Sequence, residues 1–238
     1  PDPPPWFARD TTLFGGATPE RRSDSDLVVS TAGTPRKPGM SRSDVIEVNV
    51  KVTDQIVANT LQYAPNAMML IVSNPVDILT YRAWKKTGWD RSRIIGQAGV
   101  LDSTRMASFI AMETGYSALD IDAMVMGGHG DSMVPMMRYT TISGIPVSNF
   151  LDQKTIDDII TRTRNGGAEI LALRQNSSAY DAPAAAVAEM VDAIVYDRKR
   201  ILPTVAILDN EYGCDDLAIG VPCVLGKDGM EKVLCLDL

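Results

Sequence analysis

An open parallel α/β sheet followed by a mixed α+β domain is the fold class this sequence predicts, on three observations. Between residues 26 and 98, apolar runs of strand length alternate with stretches of helical periodicity. After Gly115 the texture changes to short apolar runs around a glycine-rich loop, then two helical stretches. The tail carries three more strand-like runs separated by glycine-containing turns.

The elements follow in order. Residues 1–25 (PDPPPWFARDTTLFGGATPERRSDS) show neither helical nor strand periodicity and start on Pro rather than Met. They predict an irregular, Pro-rich arm that is not the natural start of a folded unit. LVVSTAG, from Leu27, ends in small residues, as does a buried parallel strand feeding a loop. After the loop TPRKPGMSR, Ser43 can cap a helix with apolar positions Ile46, Val50, Ile56, Val57 and Leu61, which Pro65 ends. AMMLIVS is a second buried strand, broken at Asn74-Pro75 because proline biases its predecessor away from helix and cannot donate to a ladder. A helix over Val76 to Lys86, a strand over Arg93 to Gly96 and the helix of GVLDSTRMASFIAMETG complete the alternation. Two helices, 153–174 and 182–197, precede three antiparallel strands in ILPTVAILDN, LAIGVPCVLG and MEKVLCLDL. The domain reading is therefore an arm at 1–25, a partial dinucleotide-binding domain at 26–98 and a substrate domain at 99–238.

Composition narrows the function. A net charge of -7 argues against nucleic acid or an anionic membrane as partner, since the basic surface that displaces counterions is missing. Cys214, Cys223 and Cys235 are odd in number and widely spaced, and there is one histidine, so no metal site is expected. No secretory segment and no apolar run near about 18 residues occurs, which makes the cytoplasm the default location. Asn176-Ser177-Ser178 fits a glycosylation triplet that nothing else supports.

The one histidine, His129, lies in Gly127-Gly128-His129-Gly130-Asp131 directly after a predicted strand, where flanking glycines let a ligand approach. A plain turn histidine would look the same. Asp102 and Arg105 share a helix face; facing an imidazole, the Asp would fix its tautomer and the Arg would offer a fork to a carboxylate. In isolation such a pair is more often a solvated salt bridge. Arg36, Lys37 and Arg42 fall in the loop after the first strand, where a lid over an anion would sit, though a charged surface loop is the plainer alternative. Asn74 ends the next strand, as turn chemistry or as an amide that orients a ligand.

The segments VVSTAGTPRKPGMSRSD, VNV, IVSNPVDILTY, RIIGQAGVLDSTR, MGGHGDSMVP, SAYDAPAAA and GVPCVLGKDGMEKVL occur in this order. Through them residues 26–238 resemble the lactate/malate dehydrogenase family, and within it the bacterial malate dehydrogenases built like lactate dehydrogenases. The resemblance implies NAD as cofactor, malate or oxaloacetate as substrate, and a homo-oligomer, dimer or tetramer. It implies that His129 exchanges a proton with the C2 oxygen, Asp102 steadies the imidazole, Arg105 clamps the substrate carboxylate and Arg42 closes with the lid and polarises the carbonyl. Asn74 would touch substrate and nicotinamide, while Thr31, Ala32, Gly33, Asn49, Val72 and Ser73 would line the cofactor. Arg36 would pair the distal carboxylate of a dicarboxylate, favouring malate over lactate; a pyruvate complex would leave that guanidinium buried without its partner, at several kcal/mol.

The sequence also departs from the family. Such folds open on a strand, G-x-G-x-x-G and a helix, with an acidic residue about 20 positions later. No such run occurs here: Gly15-Gly16 lacks the spacing, and Gly220 to Lys227 is not a Walker loop. The expected fold is thus an incomplete doubly wound (Rossmann-type) sheet lacking its first strands, N-terminally truncated, with LVVSTAG at a raw edge and NAD binding impaired. NAD and NADP are not distinguished. The alternatives to a malate dehydrogenase are a lactate dehydrogenase and a catalytically silent fragment serving only as a structural or oligomerisation protein.

Overall fold

The computed structural model describes residues 12, 14–34, 42–130, 132–174 and 179–238, of Arg42 and Ser43 the backbone alone. Along the chain run β1 (Leu27–Ser30), α1 (Arg42–Tyr63), β2 (Met68–Ile71), α2 (Val76–Thr87), β3 (Ile94–Gln97) and α3 (Gly99–Thr114). Short strands follow: β4 (Ile121–Asp122), β5 (Val125–Gly127), β6 (Met133–Pro135), β7 (Thr141–Ile142) and β8 (Ile145–Pro146). Then come α4 (Gln153–Arg174), α5 (Asp181–Val195), β9 (Arg200–Asp209), β10 (Asp215–Gly226) and β11 (Gly229–Val233).

The main sheet has the order β1-β2-β3-β9-β10-β5-β6, with β11 also paired to β10; β4, β7 and β8 form a small sheet. β1, β2 and β3 are parallel, in register Val29↔Leu70 and Leu70↔Ile95. β2 reads MMLI without a polar residue because both its faces are covered. Met69 and Ile71 turn toward Val57 of α1 and Leu79 and Ala83 of α2, whereas Leu70 and Ile95 turn toward Met190 and Ala193 of α5. Each such buried Met, Leu or Ile contributes roughly 1.5–3 kcal/mol. A third cluster, Met106 and Ile110 of α3 with Val125, Met133 and Ile159 of α4, seats α3 against the short strands.

Three differences from the sequence reading have physical causes. α1 starts at Arg42, which puts Ser43 inside the first turn, within the ordinary fraying of helix ends. α5 stops at Val195 because Asp197 takes a φ of 51°, which a helix cannot continue. The tail strands do not form a sheet of their own: β9 pairs antiparallel with β3 through Gly96↔Val205 and Gln97↔Thr204, so one sheet crosses residue 98.

This topology sets the carboxyl ends of β1 and β2 side by side and leads β3 into the start of α3. One rung, Gly220↔Gly127, ties β10 to β5 just before His129. A Cβ on Gly220 would lie 2.6 Å from the Gly127 carbonyl oxygen, so only glycine permits the approach.

Candidate active site

Asp102 stands in the first turn of α3, where the helix dipole favours a carboxylate, and is 1% exposed. It is the one ionisable residue among the buried polar residues described. Its Oδ2 lies 2.8 Å from His129 Nδ1, and its Oδ1 accepts from Arg105 Nη1 at 2.9 Å. A desolvated carboxylate persists only with such partners, and here both of its oxygens have a basic one. Arg105 and His129 are themselves largely buried.

Burial of the imidazole pushes its pKa down, but the hydrogen bond and charge of Asp102 push harder, and the balance stands above the ordinary histidine value of 6.5. Arg105 lowers it and Asp77 raises it to smaller extents. With Nδ1 on Asp102, the neutral ring carries its proton on Nδ1 and leaves Nε2 for proton exchange, a tautomer set by the network.

The ends of β1 and β2 are stitched together by polar side chains. Asn49, buried on α1, accepts from the Thr34 N–H at 2.7 Å and donates to the carbonyls of Thr34 and Asn74 at 3.2 and 2.7 Å. Ser73 donates to the Ala32 carbonyl at 2.6 Å. Asn74, exposed and followed by a cis peptide to Pro75, keeps its amide toward solvent apart from a 3.4 Å contact with the Val76 N–H. Thr31, Ala32 and Gly33 are exposed, and Val72 is half-buried. Thr31 and Ala32 border a cavity of about 370 Å³ that runs along β1. A Cβ on Gly33 would meet Ser73 Cβ at 3.2 Å. Small residues, exposed at the carboxyl ends of parallel strands, allow the close backbone approach of a cofactor such as NAD. Arg36, and the side chain of Arg42, lie outside the described residues.

Two residues near the site were missed by sequence reasoning. Asp77, three positions after Asn74, accepts from the His129 peptide N–H at 3.3 Å, so the start of α2 adjoins the loop after β5. Gly166 faces Arg105: a Cβ there would lie 2.3 Å from its Cδ and 2.7 Å from its Nε. The signal was present in Gly166-Gly167, since a glycine in a helix interior costs about 1 kcal/mol relative to alanine and calls for a reason. A cavity of about 360 Å³ between α3, α4 and α5 is bordered by Arg105 and Gly166 but not by His129 or Asn74. Among the described residues no group of three or more His, Cys, Asp or Glu could hold a metal ion, and the three cysteines are unpaired.

Residues 6–96 match the lactate/malate dehydrogenase NAD binding domain, and residues 99–238 match the lactate/malate dehydrogenase α/β C-terminal domain. The first match takes in most of the segment whose composition reads as an irregular arm. A malate dehydrogenase of Thioalkalivibrio sulfidiphilus is 64% identical over 98% of this chain and 76% of its own length. The apo structure of the malate dehydrogenase from Picrophilus torridus is 42% identical with a TM-score of 0.90, over 92% of this chain and 69% of that one. The lactate dehydrogenase from Eimeria maxima, solved with NADH and oxamate, is 33% identical with a TM-score of 0.92, over 98% of this chain and 72% of that one. The buried Asp102 joining His129 to Arg105 thus sits in a matching sequence and a matching fold, and the chain belongs to the lactate/malate dehydrogenase family.

Proposed function

We infer that this chain is an NAD-dependent malate dehydrogenase, interconverting malate and oxaloacetate. The observation that carries the chemistry is Asp102 bridging His129 and Arg105. NAD, when bound, supplies the hydride acceptor for C2; Thr31, Ala32, Gly33, Asn49, Val72, Ser73 and Asn74 are the residues that would hold it. In malate oxidation Nε2 of neutral His129 takes the hydroxyl proton, and Asp102 stabilises the resulting imidazolium. Arg105 holds the substrate carboxylate, Asn74 orients the C2 oxygen, and Arg42 stabilises charge on it. Arg36 pairs the distal carboxylate. Residues 26–98 form the cofactor side and 99–238 the substrate side, with 1–25 an arm.

Lactate dehydrogenase folds superpose as well as malate dehydrogenase folds, so the substrate rests on Arg36. NADH oxidation with oxaloacetate and with pyruvate is the test: turnover of oxaloacetate should dominate, and His129→Ala should lose roughly 10²- to 10⁴-fold in kcat. Equal turnover of pyruvate would overturn the malate reading, and no turnover of either would leave the silent fragment. The raised histidine pKa gives a sign. Oxaloacetate reduction needs imidazolium and should decline as pH rises through that pKa, whereas malate oxidation needs the neutral ring and should increase.

No helix of the described residues is long and apolar enough to cross a membrane. Together with the unpaired cysteines this supports a cytoplasmic enzyme, and the family supports a homo-oligomer.

A further inference from the structure

A carboxyl group beside His129 has no part in the chemistry above. Asp77 stands in the first turn of α2, and its Oδ2 accepts from the His129 peptide N–H at 3.3 Å. The same oxygen lies 3.6 Å from where a Cβ of Gly128 would be, so the carboxylate is set against the backbone of the loop. Oδ1 is shielded from solvent and has no hydrogen-bond partner among the described residues. Burial raises the Asp77 pKa, the His129 N–H and imidazole oppose the rise, and Asp102 adds to it.

The loop needs such a tether. Gly128 and Gly130 flank His129, and Gly130 takes a φ of 113°, so the histidine hangs on the least restrained backbone available. Asp102 fixes the ring from the α3 side, and the loop is closed by the Met133 N–H donating to the Gly130 carbonyl and by Gly127 pairing with Met133 and Gly220, which leaves the His129 peptide N–H to Asp77. We propose that Asp77 is a positioning residue for the proton-transfer imidazole, holding the His129 peptide from the α2 side and adding a second negative charge near the ring. The inference rests on His129 being the proton-transfer residue. Among the described residues the charged groups facing His129 are Asp102 and Arg105 from α3 and Asp77 from α2; Asp131, Arg36 and the side chain of Arg42 lie outside them.

His129 is the one histidine of the chain, so imidazole NMR reads a single residue without an assignment step. The experiment titrates that signal in the wild type, Asp77→Asn and Asp77→Leu and measures oxaloacetate turnover in each. Asp77→Asn keeps an oxygen acceptor for the peptide but loses the charge, so its imidazole midpoint should fall below the wild-type value. Asp77→Leu loses both, and its kcat should drop about tenfold or more with the KM for NADH unchanged, Asp77→Asn retaining clearly more activity. A wild-type midpoint in Asp77→Asn, or a wild-type kcat in Asp77→Leu, would overturn the proposal. Should Asp77→Leu fail to fold, the Asp77→Asn midpoint decides alone. Failure of the malate reading shows separately, as a wild type that titrates normally and turns nothing over.

Discussion

Arg105 is held at two points, by the hydrogen bond of its Nη1 to Asp102 and by the bare backbone of Gly166 against its Cδ and Nε. A methyl at Gly166 meets a guanidinium that is already tethered and largely buried, so it must displace the fork. Gly166→Ala is expected to raise the KM for oxaloacetate on the order of tenfold, because a displaced fork loses its paired grip on a carboxylate. Gly167 is the control. A Cβ there meets nothing within 4 Å, so Gly167→Ala should raise stability by about 0.5–1 kcal/mol in urea unfolding and leave KM alone. Equal KM values in the two variants would remove Gly166 from the site. At this scale the sequence offers candidates for the chemistry and is silent about what braces them. Asp102, Arg105 and His129 announce themselves by type, glycine flanks and helix spacing. Asp77 and Gly166 matter through contacts across 52 and 61 positions, which no local pattern encodes.

The helix pair α1 and α2 is joined at its outer side by Asp54. Arg82 forks onto it with two bonds of 2.8 Å, and Lys86 approaches at 3.0 Å. The Arg82 hydrogen bond, outweighing the effect of burial, holds the Asp54 pKa down at about 2 against an ordinary 3.8. A pKa lowered on folding adds stability that is complete above the unfolded value and lost as pH falls from about 3.8 toward 2. Arg82 is nearly half exposed, so screening reduces the gain to on the order of 1 kcal/mol. Asp54→Asn should therefore be less stable than wild type at pH 7 in urea unfolding, and the gap should close as pH approaches 2. A gap independent of pH would show that the ion pair contributes nothing. The helices themselves were legible: Pro65 bounds α1, and α4 spans the 153–174 read from periodicity. β7 and β8, two residues each, are too short for any period to register.

At the scale of the whole molecule, the alternation of apolar runs foretold parallel β1, β2 and β3 with helices on both faces. It could not foretell that β9 would add antiparallel to β3, because pairing between strands far apart in sequence leaves no local trace. β1 is the end strand on that side, with β2 as its strand partner among the described residues, and Val29 is 37% exposed. A lysine on such a strand opposes edge-to-edge pairing, so Val29→Lys should shift sedimentation profiles toward smaller species at equal concentration. An unchanged profile would place any self-association elsewhere. The opposite flank of the sheet carries a quieter constraint. The segment holding His129 is attached to β10 by peptide meeting peptide, with no side chain interposed. The approach of that segment to β10 is therefore set by the main chain, and the exposed positions of β10 can change without disturbing this rung as long as position 220 stays glycine.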